Sequence, residues 1–220
     1  MPIFISLLNR GLPFYRYINN SLPFNKYAFL TTHNAYAISG DTLKEIEAFL
    51  SANPTEIVTI ILEDYVHAPN GLTKVFTDAG LMKYWFPLIR VPRNGQDWPS
   101  MFTSITSKEQ TEGIAYQWNF MVENQYGDGG RKAGSCPNRA ESSPLNDKSK
   151  SLVLVNYFRS TPIKPITCED SSGELINMIH TCYGDAGNRW ANFVAVDYYK
   201  RSEGEGSFGR HSQWKAIVWM

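Results

Sequence analysis

A histidine and an asparagine, His33–Asn34, close the apolar run in "NKYAFLTTHNAYAIS". Three more polar groups stand in the same relation to apolar runs. Glu63, with Asp64 beside it, follows "IVTIIL"; Asn156 sits late in "SLVLVN"; Asp197 sits late in "NFVAVD". Such runs, rich in β-branched residues, read as strands. Polar groups just past the C-terminal ends of parallel strands share the catalytic face of an α/β barrel. An imidazole among carboxylates and amides there suits proton transfer. Each residue also has a plain structural role open to it, as a loop or capping histidine or as an acid capping a turn. For four residues at four strand ends, a shared site and four separate structural roles are comparable readings. His67, His180 and His211 read as loop, helix and tail residues. "YGDGG" (126–130) lacks the lysine and spacing of a phosphate-binding loop, and no GxSxG elbow or HExxH pair occurs.

The elements that must position these groups follow from periodicity. "DTLKEIEAFLSA" (41–52) predicts a helix with Leu43, Ile46, Phe49 and Leu50 on one face, ended by "NPT". The strand at 57–62 is almost continuously apolar, as suits a parallel sheet covered on both faces. A second short helix lies within 71–85, and a Pro- and Gly-bearing loop follows at 86–99. Residues 107–121 predict a helix interrupted by Gly113. Asn124–Lys150 reads as a long polar loop, either functional or poorly ordered. Strands at 151–158 and 192–199 flank a helix at about 172–182, and "YAFLTT" adds one more strand. The order is that of an α/β domain with few strands for its length, its strands expected to be parallel neighbours where they touch.

Composition removes several classes. The 220 residues are 43% hydrophobic, enough for a core, and default to one domain. Lysine and arginine (21) balance aspartate and glutamate (21), so no overall field draws nucleic acid. No apolar run reaches the ~20 residues of a membrane span. The apolar stretch Ile3–Leu8 is considered as a leader, but no basic residues precede it, and "WKAIVWM" is no lipid-anchor signal. Neither signal decides location, and retention inside the cell is one of two open readings beside secretion. Cys136, Cys168 and Cys182 lack zinc spacing. Cys168 and Cys182 flank the predicted helix and could be bridged in a secreted chain; unpaired buried thiols are the alternative. Asn19 opens the sequon "NNS", which matters only in a secretory setting.

Longer motifs resemble the plant proteins that carry a phosphatidylinositol-specific phospholipase C X-like domain, within the PLC-like phosphodiesterase superfamily. They are "LPFNKYAFLTTHNAYA", "LKEIEAFLSANPTEIVTIILEDYV", "GLTKVFTDAGLMKYWFP", "EGIAYQWNFMVENQYGDGGRKAGSCPNRAES", "SLVLVNYF" and "NRWANFVAVDYYKRS", together most of the chain. The resemblance implies a distorted TIM barrel and cleavage of a phosphoinositide-type phosphodiester, with two histidines as base and acid on opposite sides of phosphorus. It assigns the first histidine to His33 and the adjacent polar position to Asn34. Glu63, with Asn34, falls at the calcium position of calcium-dependent members. Other members use an arginine instead. Asp197 and Tyr198 fall near the substrate, and Asn156 is added to them from its place at a strand end.

The sequence departs from that pattern in one respect. It passes from "THNAYAI" straight to "SGDTLKEIEAFL", omitting a long segment after residue 38 that in relatives carries strands and the second histidine. A smaller omission follows near residue 101. His67 is the nearest remaining histidine, and no motif promotes it. The expectation is thus a single shortened domain over 1–220, an incomplete barrel with open sheet edges through which copies could associate. It is either a phosphoric diester hydrolase or a non-catalytic relative with a binding or structural role.

Overall fold

The computed structural model describes residues 3–8, 22–33, 40–54, 57–62, 67–86, 90–98, 116–161, 163, 173–197 and 217–218. Its strands are β1 (Ile3–Leu8), β2 (Tyr27–Thr32), β3 (Ile57–Leu62), β4 (Met121–Glu123), β5 (Leu152–Asn156), β6 (Phe193–Val196) and β7 (Ile217–Val218). Its α-helices are α1 (Gly40–Ala52), α2 (Gly71–Asp78), α3 (Gly127–Gly130) and α4 (Gly173–Asp185). The strands form one sheet in the order β3-β1-β2-β6-β5-β4, with β7 beside β2. The four strands β2, β6, β5 and β4 are parallel, with Leu30 opposite Val194, Val155 opposite Val194 and Val122 opposite Val153.

The side-chain alternation of strands explains the layers. Leu152 and Leu154 of β5 and Phe193 and Ala195 of β6 face an aromatic interior with Tyr27, Phe29 and Phe158. Phe29 stacks on Phe193 with ring centroids 5.5 Å apart. The intervening Val153, Val155, Val194 and Val196 face helix α4 through Leu175, Met178 and Ile179. A separate core packs Leu43, Ile46 and Leu50 of α1 and Phe76 of α2 against Val58, Ile60 and Leu62 of β3. Burying a side chain of this size contributes about 1.5–3 kcal/mol, so β5 and β6, covered on both faces, anchor the fold.

Local chemistry sets the ends of the helices. Asn53 donates both its backbone N–H (2.9 Å) and its side-chain amide (2.8 Å) to the Phe49 carbonyl, and Pro54 follows, which stops α1. Helix α4 ends where Gly187 adopts φ +67° and Asn188 N–H reaches back 3.0 Å to the Tyr183 carbonyl, capping the last turn. At the N-terminal ends of the strands, buried Asn192 joins three strands at once. Its amide donates to the Asn25 and Tyr27 carbonyls at 2.9 and 3.0 Å, and its oxygen accepts from Val153 N–H at 2.9 Å. This fixes the relative heights of β2, β6 and β5.

Several expectations are corrected. The apolar Ile3–Leu8 is a strand, antiparallel to both β2 and β3, with all six of its residues in register with β3. The strand at 57–62 therefore contacts β1 rather than a parallel neighbour. Within the expected 107–121 helix the described part is a 3-10 turn at Gln117–Asn119 followed by β4; residues 107–115 lie outside the described residues. The polar stretch 124–150 is built. Arg189 donates to the carbonyls of Leu145 (2.6 Å) and Asp147 (3.1 Å) and to that of Lys150. Cys182 bridges Cys136, not Cys168, across a sequence separation of 46; Cys168 lies outside the described residues. Both bridged cysteines are buried, so the bond ties this stretch to α4 from within the core.

Candidate active site at the strand ends

Because β2, β6, β5 and β4 run in one direction, the residues at their C-terminal ends meet at one pole. His33 follows β2, Asp197 follows β6, Asn156 ends β5 and Glu123 ends β4. The His33 backbone N–H donates to the Val196 carbonyl at 2.9 Å, which continues the β2–β6 ladder and sets the ring beside Asp197. The His33 Nδ1 lies 2.9 Å from Asp197 Oδ1. The imidazole also stacks on Phe158, centroids 3.6 Å apart and planes 7° from parallel. A carboxylate accepts and does not donate, so Nδ1 carries the proton toward Asp197. The side chains are 11% and 4% exposed, so the pair works where water screens it weakly.

Beside it lies a second network, which sequence reasoning missed. Glu123, 1% exposed, accepts from Asn156 Nδ2 (2.6 Å), from Arg139 (2.9 Å) and from Gln117 (2.7 Å). Burial pushes the Glu123 carboxyl above its ordinary range, opposed by the Arg139 charge and by these donors. The same pairing holds the Arg139 guanidinium more firmly protonated against its own burial. Asn156 and Asn124 bond reciprocally: Asn156 N–H donates to Asn124 Oδ1 (2.6 Å) and Asn124 Nδ2 to the Asn156 carbonyl (3.1 Å). The signal for Glu123 was an acid ending "FMVE", hidden because that run is too short to declare itself a strand.

Of the site residues named from sequence, the structure brings His33 and Asp197 into contact and sets Asn156 at the same pole. Asn34, Glu63 and Tyr198 lie outside the described residues. Two buried acceptors at this pole, Asp197 Oδ2 and Asn156 Oδ1, have no hydrogen-bond partner among the described residues. Such atoms are costly to leave unmatched and suit a ligand's hydroxyl or amine donors. As a calcium site the described residues do not fit. No cluster of three histidine, cysteine or acidic residues occurs among them, Glu123 is saturated by donors, and calcium takes 6–8 oxygens. His67 is exposed after β3, and the ring of His180 packs edge-on against Trp190 on α4. His211 lies outside the described residues.

Comparison with known proteins gives one informative match. Over 178 residues, 76% of this chain, the sequence is 54% identical to a curated PI-PLC X domain-containing protein of Arabidopsis thaliana. The chain covers 42% of that protein's length. No family model matches, and no solved structure matches.

Proposed function

Since this chain belongs to the family of PI-PLC X domain-containing proteins, we propose that the pole at His33 is a phosphodiester-cleaving site of the phospholipase C type, acting on phosphoinositide-like substrates. The observation that carries the reading is the 2.9 Å contact between His33 Nδ1 and Asp197 at the ends of two parallel strands. Asp197 holds the imidazole tautomer, and Nε2 takes the proton of a substrate hydroxyl as that oxygen attacks phosphorus. The P–O bond to the leaving alcohol then breaks. Asn34, Asn156 and Tyr198 contact the substrate in this reading, and the parallel strands belong to a barrel left incomplete by the omitted segment. No step is routed through a cation; Asn34 and Glu63 are the positions where one would be held.

A second reading, a relative that binds without turning over, is favoured by one observation. The segment that in relatives carries the second histidine is omitted after residue 38, and no motif promotes His67, exposed beyond the end of β3, to protonate the leaving alkoxide. Loss of a positioned acid costs roughly 10²–10⁴-fold. An aryl phosphodiester, whose leaving group needs little protonation, suffers least. The deciding experiment is a paired assay of the purified chain on phosphatidylinositol and on an aryl phosphodiester, with and without calcium. Slow aryl cleavage that vanishes in His33→Ala, with negligible inositol phosphate release, is the expected result. Inactivity on both substrates leaves the binding reading. Robust phosphatidylinositol turnover would show that another group supplies the acid.

A further inference from the structure

The opposite pole of the sheet carries a cleft lined by Arg90, Val91, Pro92, Arg93, Gln96, Asp97 and Trp98. Its place follows from Trp98. The indole N–H donates to Ser151 Oγ (2.8 Å), just ahead of β5, and the backbone N–H donates to Asn25 Oδ1 (2.9 Å), just ahead of β2. The cleft thus sits at the N-terminal ends of the parallel strands, a sheet's length from His33. We propose that it is a second binding site, which takes a phosphate group.

Three observations support this. The first is uncompensated charge. Asp97 is the one carboxylate in the cleft, and it is already engaged by Lys26 Nζ (2.9 Å) and Asn25 Nδ2 (2.9 Å). Those partners outweigh its partial burial and hold its carboxyl below the usual range. Neither Arg90 nor Arg93 forms an ion pair among the described residues. Arg90 lies over the Phe86 ring at 5.8 Å. Stacking uses the flat face of a guanidinium and leaves its N–H edge free, and that edge matches phosphate oxygens two at a time.

The second is rigidity. The loop reverses at Asn94 (φ 55°) and Gly95 (φ 73°). A Cβ on Gly95 would sit 2.0 Å from the Lys148 carbonyl oxygen, so the loop is seated directly on the 124–150 stretch. Trp98 packs among Phe24, Phe86 and Phe120. The loop backbone that carries the two arginines is therefore held in place before a ligand arrives, which lowers the cost of ordering it.

The third is mixed chemistry. Val91, Pro92 and the half-buried Trp98 give the cleft an apolar wall beside the two cations, which suits a phosphate ester with an organic substituent. Because the whole chain is neutral, this attraction is local and weakens with salt. A soluble phosphate ester and a phospholipid headgroup share this chemistry.

The test titrates inorganic phosphate calorimetrically into the full chain and pellets the chain with phosphatidylcholine vesicles, with or without phosphatidic acid. Saturable phosphate binding, at least tenfold weaker in Arg90→Gln/Arg93→Gln and unchanged in His33→Ala/Asp197→Asn, is expected. The latter variant separates this cleft from the pole at His33. If the wild type pellets only with phosphatidic acid and the double glutamine variant does not, the ligand is a headgroup. Phosphate binding without pelleting assigns a soluble ester. Arg93→Gln alone, at an exposed position, carries the test should the double variant misfold. Binding undiminished by these substitutions, or no saturable binding to any probe, overturns the proposal.

Discussion

Asp197 Oδ1 faces the His33 ring, while Asp197 Oδ2 has no partner among the described residues. The side chain therefore does two jobs, fixing a tautomer and presenting an acceptor, and Asp197→Asn separates them. The amide keeps the shape but can offer its N–H to Nδ1, which turns the ring's proton to the wrong side. Any aryl phosphodiesterase activity should fall roughly 10²–10⁴-fold, with a smaller change in KM, as measured by steady-state kinetics. Equal loss in kcat and a large rise in KM would instead make Asp197 a binding residue. The Glu123–Arg139 pair makes a stability prediction. Removing Arg139 leaves a buried carboxylate without its counter-charge, so Arg139→Ala should cost about 3–5 kcal/mol in urea unfolding. The pH dependence follows from the raised Glu123 carboxyl. The folded chain holds that proton more tightly than the unfolded chain. Its stabilising contribution is full below the unfolded value and is lost as pH rises through the folded value. Unfolding free energies of wild type and Glu123→Gln, compared from about pH 4 to about pH 8, should diverge with that sign.

Elements differ in how plainly the sequence announces them, and the reason is physical. Helix α1 and strands β3, β5 and β6 carry enough apolar residues at one period to be read directly. His33, Asn156 and Asp197 were legible because each closes such a strand. Strand β4 has only three residues, and β1 reads equally well as any short apolar run; both are defined by their neighbours rather than by their own pattern. The stretch 124–150 has no period at all. It is ordered by long-range bonds, from Arg189 to three carbonyls and from Cys136 to Cys182, which no local pattern encodes. The disulfide also bears on location, because such bonds persist in oxidising compartments. Closing a loop of this length contributes about 4 kcal/mol. Reductant, or Cys136→Ser, should lower the melting temperature by about 10 °C in a calorimetric scan. An unchanged transition would mean that the bond does not form in solution.

Among the described residues, the strand order β3-β1-β2-β6-β5-β4 ends in β3 and β4. Every residue of β5 and β6 is buried, yet every residue of β3 is partly exposed, although helices cover one of its faces and Ile61 on the other packs against the aromatic core. A strand covered on both faces is exposed through its edge. We propose that two copies pair there, since "IVTIIL" is apolar and uncharged. Sedimentation velocity should show a concentration-dependent dimer that Ile57→Lys removes; a monomer at all concentrations would exclude the pairing. No helix among the described residues is long and apolar enough to cross a membrane. The placement of β1 has a consequence for synthesis on the ribosome. Its six residues leave the exit tunnel well before their in-register partner, β3, which emerges some fifty residues later, or several seconds at the usual pace of elongation. Through that interval the nascent chain displays this segment without the strand that pairs with all six of its residues. Faster translation of codons 9–56, or a chaperone waiting at the tunnel mouth, would therefore raise the yield of folded protein without altering its final stability.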